Sequence, residues 1–266
     1  MDNSNYTNIY VEREGSLATI FVSRTAVRNA VDLGTIRELV DVFEALDGDD
    51  SVRVIVLTGD GEQAFIGGGD IKQFQGQSGI WFQREFRTAT RDLERAIEES
   101  TKPVLAAVNG DALGGGTEIA MMCDMILATE SARFGFPEIG LGIIPNAGGT
   151  QRLTHLVGFL KAKELILTGR YIPAAEAEDI GLINDTIPDQ KFKGKVDEVA
   201  AELAAGPPLA QWFGKRAVNA TRPNLDVGLA LEASLAGKLY DTSDKEEGMN
   251  AFLEKREPSF DGKESD

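Results

Sequence analysis

Apolar and polar positions alternate in three different rhythms along the chain. Residues 9–13 and 17–22 alternate with period two around Glu14-Gly15-Ser16, which predicts two short strands joined by a turn. Ile36, Leu39, Val40, Phe43 and Leu46 recur at helical spacing, so 32–46 reads as an amphipathic helix with Asp32 as its N-cap. Residues 52–58, 103–108 and 124–128 are short, continuous apolar runs, the mark of strands buried on both faces. Between them, 81–99 reads as a helix with Phe82, Phe86, Leu93 and Ile97 on one side, and 117–123 as a shorter one. Strand and helix alternate with glycines between, the pattern of an α/β unit with parallel strands.

After Leu153 the rhythm becomes helical. Residues 156–167, 174–180, 196–205, 209–220, 225–240 and 245–255 read as helices, and only 184–187 interrupts as a strand. The expected organisation is an α/β core at 1–200 followed by a helical region at 201–266. No repeat or low-complexity tract is visible.

Composition narrows the function classes. The 266 residues contain one cysteine, Cys123, and one histidine, His155. An intrachain disulfide, a thiolate-cluster metal site and a multi-histidine metal site are thereby excluded. The formal charge of −16 disfavours nucleic acid and anionic membranes as partners. Arg84, Arg87, Arg91 and Arg95 form a partial basic stripe, but Glu85, Asp92, Glu94 and Glu98 accompany it, so a solvated, ion-paired helix face is expected. Composition leaves open whether the acidity is an adaptation to high salt or the ordinary means of staying soluble. The polar, acidic N-terminus lacks the features of a targeting segment, and no apolar run reaches membrane-spanning length. A soluble, cytoplasmic protein is expected.

The candidate chemistry is glycine and carboxylate. His155 has no serine elbow beside it and is expected to be a solvent-facing helix residue. Cys123 is expected to be a buried, inert thiol. No nucleotide phosphate loop is present. Two glycine triplets, Gly67-Gly68-Gly69 and Gly114-Gly115-Gly116, follow the buried runs 52–58 and 103–108. One N–H from each could converge on a carbonyl oxygen as an oxyanion hole; taken singly, each triplet reads as a tight strand-to-helix turn. Glu118 lies just inside the helix opened by the second triplet, and Glu138 lies in the turn Gly135-Phe136-Pro137-Glu138-Ile139-Gly140. Two carboxylates in different environments can serve as acid and base. Spacing alone does not bring them together.

These residues, in this order, resemble the crotonase (enoyl-CoA hydratase/isomerase) superfamily over nearly the whole chain. The stretches that carry the resemblance are Arg28-Asn29-Ala30, Ala64-Phe65-Ile66-Gly67-Gly68-Gly69-Asp70-Ile71-Lys72, and Lys102 through Gly110. They continue with Ala112-Leu113-Gly114-Gly115-Gly116-Thr117-Glu118, Phe134-Gly135-Phe136-Pro137-Glu138, Pro145 through Leu153, and Glu247 through Arg256.

The resemblance implies a ββα spiral core with a helical C-terminal trimerisation region, assembled as a trimer or a dimer of trimers. It implies an acyl-CoA thioester as substrate, whose carbonyl oxygen meets the N–H groups of Gly69 and Gly115. Gly67 would lie near the adenine, and Gly69, Asp70, Ile71 and Lys72 along the CoA path. Phe260 and Lys263 resemble tail residues that reach a neighbouring subunit's CoA. The glutamate pair of the hydratases maps onto Glu118 and Glu138. The expected activity is reversible syn addition of water to a trans-2-enoyl-CoA in fatty-acid or related acyl-CoA catabolism, with no cofactor beyond the CoA of the substrate. Related isomerases typically work with one carboxylate, so the pair favours hydration over isomerisation or another acyl-CoA chemistry; a non-catalytic or RNA-binding relative fits the charge poorly. Two single positions and one short segment depart from the family's usual residues. Asn146 stands where hydratases commonly have glycine, Gly69 replaces an alanine, and Thr25-Ala26-Val27-Arg28 replaces a proline-led segment.

Overall fold

The computed structural model describes residues 6–74 and 79–220, together with 243, 247, 251, 254, 256 and 258–263. The chain opens with β1 (Ile9–Glu14) and β2 (Leu17–Val22), an antiparallel hairpin turning at Gly15, whose positive φ of 59° suits a residue without a side chain. Helix α1 (Leu33–Asp47) follows, and Asp32 caps it as predicted: its carboxylate accepts from the Thr35 N–H at 2.7 Å.

Next comes a coil of three similar turns. The first runs through β3 (Val54–Gly59) and β4 (Ala64–Ile66), then α2 (Ile71–Phe74), α3 (Gly79–Trp81), a π-helical segment Phe82–Phe86 and α4 (Arg87–Glu98). The second runs through β5 (Val104–Val108), β6 (Asp111–Leu113) and α5 (Gly115–Ala120). The third comprises β7 (Met125–Thr129), β8 (Arg133–Gly135) and α6 (Gly149–Thr168). Then β9 (Tyr171–Pro173), α7 (Ala174–Asp179), β10 (Asp185–Ile187), α8 (Phe192–Ala205) and α9 (Pro208–Asn219) complete the described elements.

Each turn of the coil lays one strand in each of two sheets. The larger has the order β1-β2-β3-β5-β7-β10, parallel except for the opening hairpin, and the smaller has the order β4-β6-β8-β9. This is the ββα spiral that the resemblance implies, and it explains the continuous apolar runs. Along β3, Ile55 and Leu57 face the main core, while Val54 and Val56 face a second cluster closed by Phe192, Val196 and Ala200 of α8. Both faces are dry, so no polar alternation survives. The strands of the smaller sheet went unpredicted because each is three residues long, too short to show a period. The glycine triplets therefore follow β4 and β6 of the smaller sheet, not the long strands directly. Tyr171–Pro173 is a second strand in the stretch expected to hold only one.

The corner between β3 and β4 is closed by a buried side chain. Asn29 is 1% exposed and sits at a positive φ of 57°. Its Nδ2 donates to the carbonyls of Asp60 at 2.9 Å and Ala64 at 2.8 Å, and its Oδ1 accepts from the Arg24 N–H at 3.0 Å. The predicted helix 225–240 lies outside the described residues. Of 245–255, the described Glu247, Ala251 and Glu254 are helical. Among the described residues no helix is long and apolar enough to cross a membrane.

Candidate active site

The smaller sheet ends in glycines because its strands must approach one another closely. A side chain on Gly116 would place Cβ 1.9 Å from the Ile66 carbonyl oxygen, so only glycine lets the start of α5 press against the end of β4. Gly68, at a φ of 120°, turns the backbone so that the next N–H is released from the strand. The Cβ position of Gly115 lies 3.6 Å from the Gly69 nitrogen, which sets the two glycines face to face. Asp70 N–H donates to Val31 and Gly114 N–H to Gly135, but the N–H groups of Gly69 and Gly115 have no acceptor among the described residues. Two unpaired donors at adjacent backbones make a place for a partially negative oxygen.

Both donors open onto a cavity of about 1040 Å³. Its walls are largely apolar, with Phe74, Trp81, Phe82 and Phe86 as an aromatic cluster and Leu113, Ile119, Met122 and Leu141 among the other lining residues. Glu118 and Glu138 are its two carboxylates. Sequence spacing did not join them; the coil does, by bringing α5 and the 3₁₀ turn Pro137–Leu141 to the same end of the sheet.

The two carboxylates are held differently. Glu118 is 3% exposed, and its Oε1 accepts from the N–H groups of Ala147 at 2.7 Å and Gly149 at 2.8 Å. Burial pushes its pKa up, against these N–H groups and the charge of Arg152. Glu138 is 8% exposed, and its buried Oε2 has no hydrogen-bond partner. Burial first, and the nearby charge of Glu118 as well, raise it to about 7, although its own N–H opposes this. One carboxylate is gripped and the other is poised to carry a proton near neutrality.

The remaining expected residues divide. Gly67 and Ile71 line the cavity with Gly69 and Gly115. Asp70 and Lys72 do not line it: Asp70 pairs with Arg24 at 3.0 Å and accepts from the Lys72 N–H at 3.2 Å, capping α2. Phe260 is half-buried and Lys263 exposed, and neither lines this chain's cavity; Lys263 pairs with Asp261 at 3.2 Å. Asn146 lines the cavity and its Nδ2 donates to the Ile144 carbonyl at 3.3 Å.

Similarity to known proteins extends over nearly the whole chain. A model of the enoyl-CoA hydratase/isomerase family matches residues 12–263. The chain belongs to that family. As a family member it is 41% identical to the crotonyl-CoA hydratase of Syntrophomonas wolfei, over 96% of this chain and 98% of the relative. It is 40% identical to the short-chain-enoyl-CoA hydratase of Clostridium acetobutylicum, over 94% of this chain and 95% of the relative. The crystal structure of an enoyl-CoA hydratase from Bacillus anthracis superposes with a TM-score of 0.91 at 37% identity, covering 97% of this chain and 100% of that one.

Other candidate groups of this enoyl-CoA hydratase/isomerase family member settle as follows. His155 is exposed on α6, its ring Nδ1 2.8 Å from the Gln151 carbonyl, as expected. The Cys123 residue is half-buried, while burial of its thiol raises the pKa well above the usual range. The arginine stripe is not one surface. Arg84, Arg91 and Arg95 are exposed, but Arg87 is half-buried, lines the cavity and pairs with Glu94 at 2.9 Å. Sequence reading missed Arg87, Thr90 and Arg152 as parts of the site. The helical rhythm of 81–99 did place residue 90 between Phe86 and Leu93 on the inward side.

Proposed function

We propose that this chain is an enoyl-CoA hydratase that adds water reversibly to a trans-2-enoyl-CoA, giving the 3-hydroxyacyl-CoA. The observation that carries the reading is the meeting of two unlike buried carboxylates with two unpaired N–H groups in one apolar cavity. The thioester oxygen would accept from the N–H groups of Gly69 and Gly115, which stabilise negative charge as the enolate develops; losing a comparable donor costs roughly 2.7–4 kcal/mol. Because Glu118 Oε1 is gripped by the loop, Oε2 is the oxygen left to receive a proton from water as the water oxygen bonds to Cβ. Glu138, with a pKa raised to about 7, delivers the proton to Cα. In reverse, Glu138 removes the Cα proton and Glu118 returns one to the departing hydroxyl. Protonation states belong to the pair rather than to either member.

CoA enters only as part of the substrate. Gly67 and Ile71 of the cavity lining, Asp70 and Lys72 next to them in the chain, and Phe260 and Lys263 of a neighbouring copy are the proposed CoA contacts. A homotrimer or dimer of trimers is proposed with them. The apolar Phe159 and Leu160, 73% and 85% exposed on α6, support burial of that face against another copy.

Disappearance of the conjugated enoyl-thioester absorbance tests the reading, with crotonyl-CoA and wild type, Glu118→Gln and Glu138→Gln. Turnover in wild type and its collapse in both variants is expected. A folded wild type that binds CoA esters without hydrating them overturns it, and Asn146 is then the first residue to exchange for glycine.

A further inference from the structure

The loop that grips Glu118 is itself gripped from behind. Arg152, on the first turn of α6, has a side chain only 10% exposed. Its Nη1 donates to the Ala147 carbonyl at 3.1 Å. Its guanidinium lies so close to Gly148 that a Cβ there would fall 1.7 Å from Nη1, so glycine is required for the arginine to fit. Its Nε donates to Glu98 Oε1 at 2.9 Å, Nη2 lies 2.8 Å from the same oxygen, and Nη1 lies 3.8 Å from Glu94. Ala147 is therefore held on both sides: its N–H donates to Glu118 and its carbonyl accepts from Arg152.

We propose that Arg152 is a positioning residue for Glu118, fixing the Ala147–Gly149 loop by its planar fork and placing a positive charge behind the carboxylate. A planar, five-donor side chain is suited to this, since it can satisfy a carboxylate and a carbonyl at fixed angles. The proposal rests on the reading of Glu118 as the residue that receives the water proton. Charged groups around the guanidinium, among the described residues, are Glu94 and Glu98 of α4, with Arg87 paired to Glu94. Glu118 of α5 and His155 of α6 complete the set, with Glu138 of the 3₁₀ turn acting on Glu118 and Asp124 paired to Lys215 of α9 beyond Glu98.

Three variants test it: Arg152→Met, Arg152→Lys and Glu98→Gln. Arg152→Met removes both fork and charge. Its kcat is expected to fall about 10²-fold with KM for crotonyl-CoA little changed, the size expected of a group misplaced by about 1 Å. The acidic limb of its pH–rate profile should move to higher pH, because Glu118 then holds its proton more tightly. Arg152→Lys keeps the charge, so its limb should stay near the wild-type position while kcat falls less. Glu98→Gln removes a negative charge beside the arginine, so the limb should move the opposite way, to lower pH. Carbon-13 NMR titration of labelled glutamate carboxyls in the same variants reads Glu118 without relying on turnover. A folded Arg152→Met with wild-type kcat and an unmoved limb overturns the proposal. So does a loss of rate with the Glu118 titration unchanged, which marks a merely structural arginine. If Arg152→Met fails to fold, the other two decide: a limb unmoved in Arg152→Lys and lowered in Glu98→Gln supports the proposal, and a limb unmoved in both overturns it. An inactive wild type, or an active Glu118→Gln, sinks the hydratase reading itself.

Discussion

The two sheets are built from the same coil yet differ in almost every property that matters. Strands of the larger sheet through the core run five or six residues, rich in valine, isoleucine and leucine, and are covered on both faces. Strands β4, β6 and β8 of the smaller sheet run three residues and lead into or end in glycines, and the N–H groups of Gly69 and Gly115 have no acceptor among the described residues. The first arrangement maximises buried apolar area. The second gives up strand length to bring backbone, carboxylates and a cavity to one edge. The comparison teaches that stability and chemistry are carried by alternate strands of each turn, so damage to one sheet should be separable from damage to the other.

The largest separation is expected at the carboxylates. Glu118→Gln and Glu138→Gln should each lower kcat for crotonyl-CoA hydration about 10²–10⁴-fold, while thermal melts show a folded protein. A fall in melting temperature that accounts for the lost rate would erase the distinction between the sheets. Gly116→Ala should come next and blur it deliberately. Its Cβ would meet the Ile66 carbonyl at 1.9 Å, forcing β4 and α5 apart. Activity should drop by orders of magnitude together with about 1–3 kcal/mol of stability, read from rate and urea unfolding on one preparation. Leu57→Ala in β3 should do the reverse. Leu57 is fully buried, so stability should fall by about 2–5 kcal/mol, while kcat per folded molecule stays close to wild type.

A smaller effect sharpens the contrast by pH. Because burial raises the Glu138 pKa in the folded protein to about 7, above the ordinary carboxylate value of 4.5, the folded state binds the extra proton between those values. Its contribution to stability is thus full below about 4.5 and is lost as pH rises through 7. Glu138→Gln should flatten that decline in ligand-free protein, by at most a few kcal/mol at pH 8 on a scale of about 1.36 kcal/mol per unit. In the same window kcat/KM for hydration should fall as the donor proton is lost. Stability curves that stay parallel between wild type and variant from pH 5 to 8 would argue against a raised Glu138. The smallest effect belongs to His155→Ala, expected to change kcat less than about 2-fold, since its side chain is exposed and bonds only within its own helix.

Legibility in the sequence followed the same division. The larger sheet was readable because five- and six-residue apolar runs leave a pattern, and α1 because Asp32 and the spacing from Ile36 to Leu46 agree. Strands β4, β6, β8 and β9 were not, because three residues cannot display alternation. The glycine triplets and both glutamates were visible as residue types, and the family resemblance joined them. Residue spacing alone did not, because Glu118 and Glu138 meet through adjacent turns of the coil. Arg87 looked like surface charge because its partner Glu94 completes a helix-face pattern; only packing shows that it borders the cavity. Arg152 sat inside a quoted stretch with nothing in its spacing to show that it lies behind the loop.

Asn29 makes the corner between the sheets intolerant of a change of one atom. Its amide directs both hydrogens at carbonyl oxygens, Asp60 and Ala64. An aspartate there would exchange that NH₂ for an oxygen, turning two donations into two repulsions within a buried site. The mass change is one unit, but the edge that holds Gly67 to Gly69 would lose its fastening. Asn29→Asp is therefore expected to disturb the cavity end of the molecule while the long strands still report a folded protein.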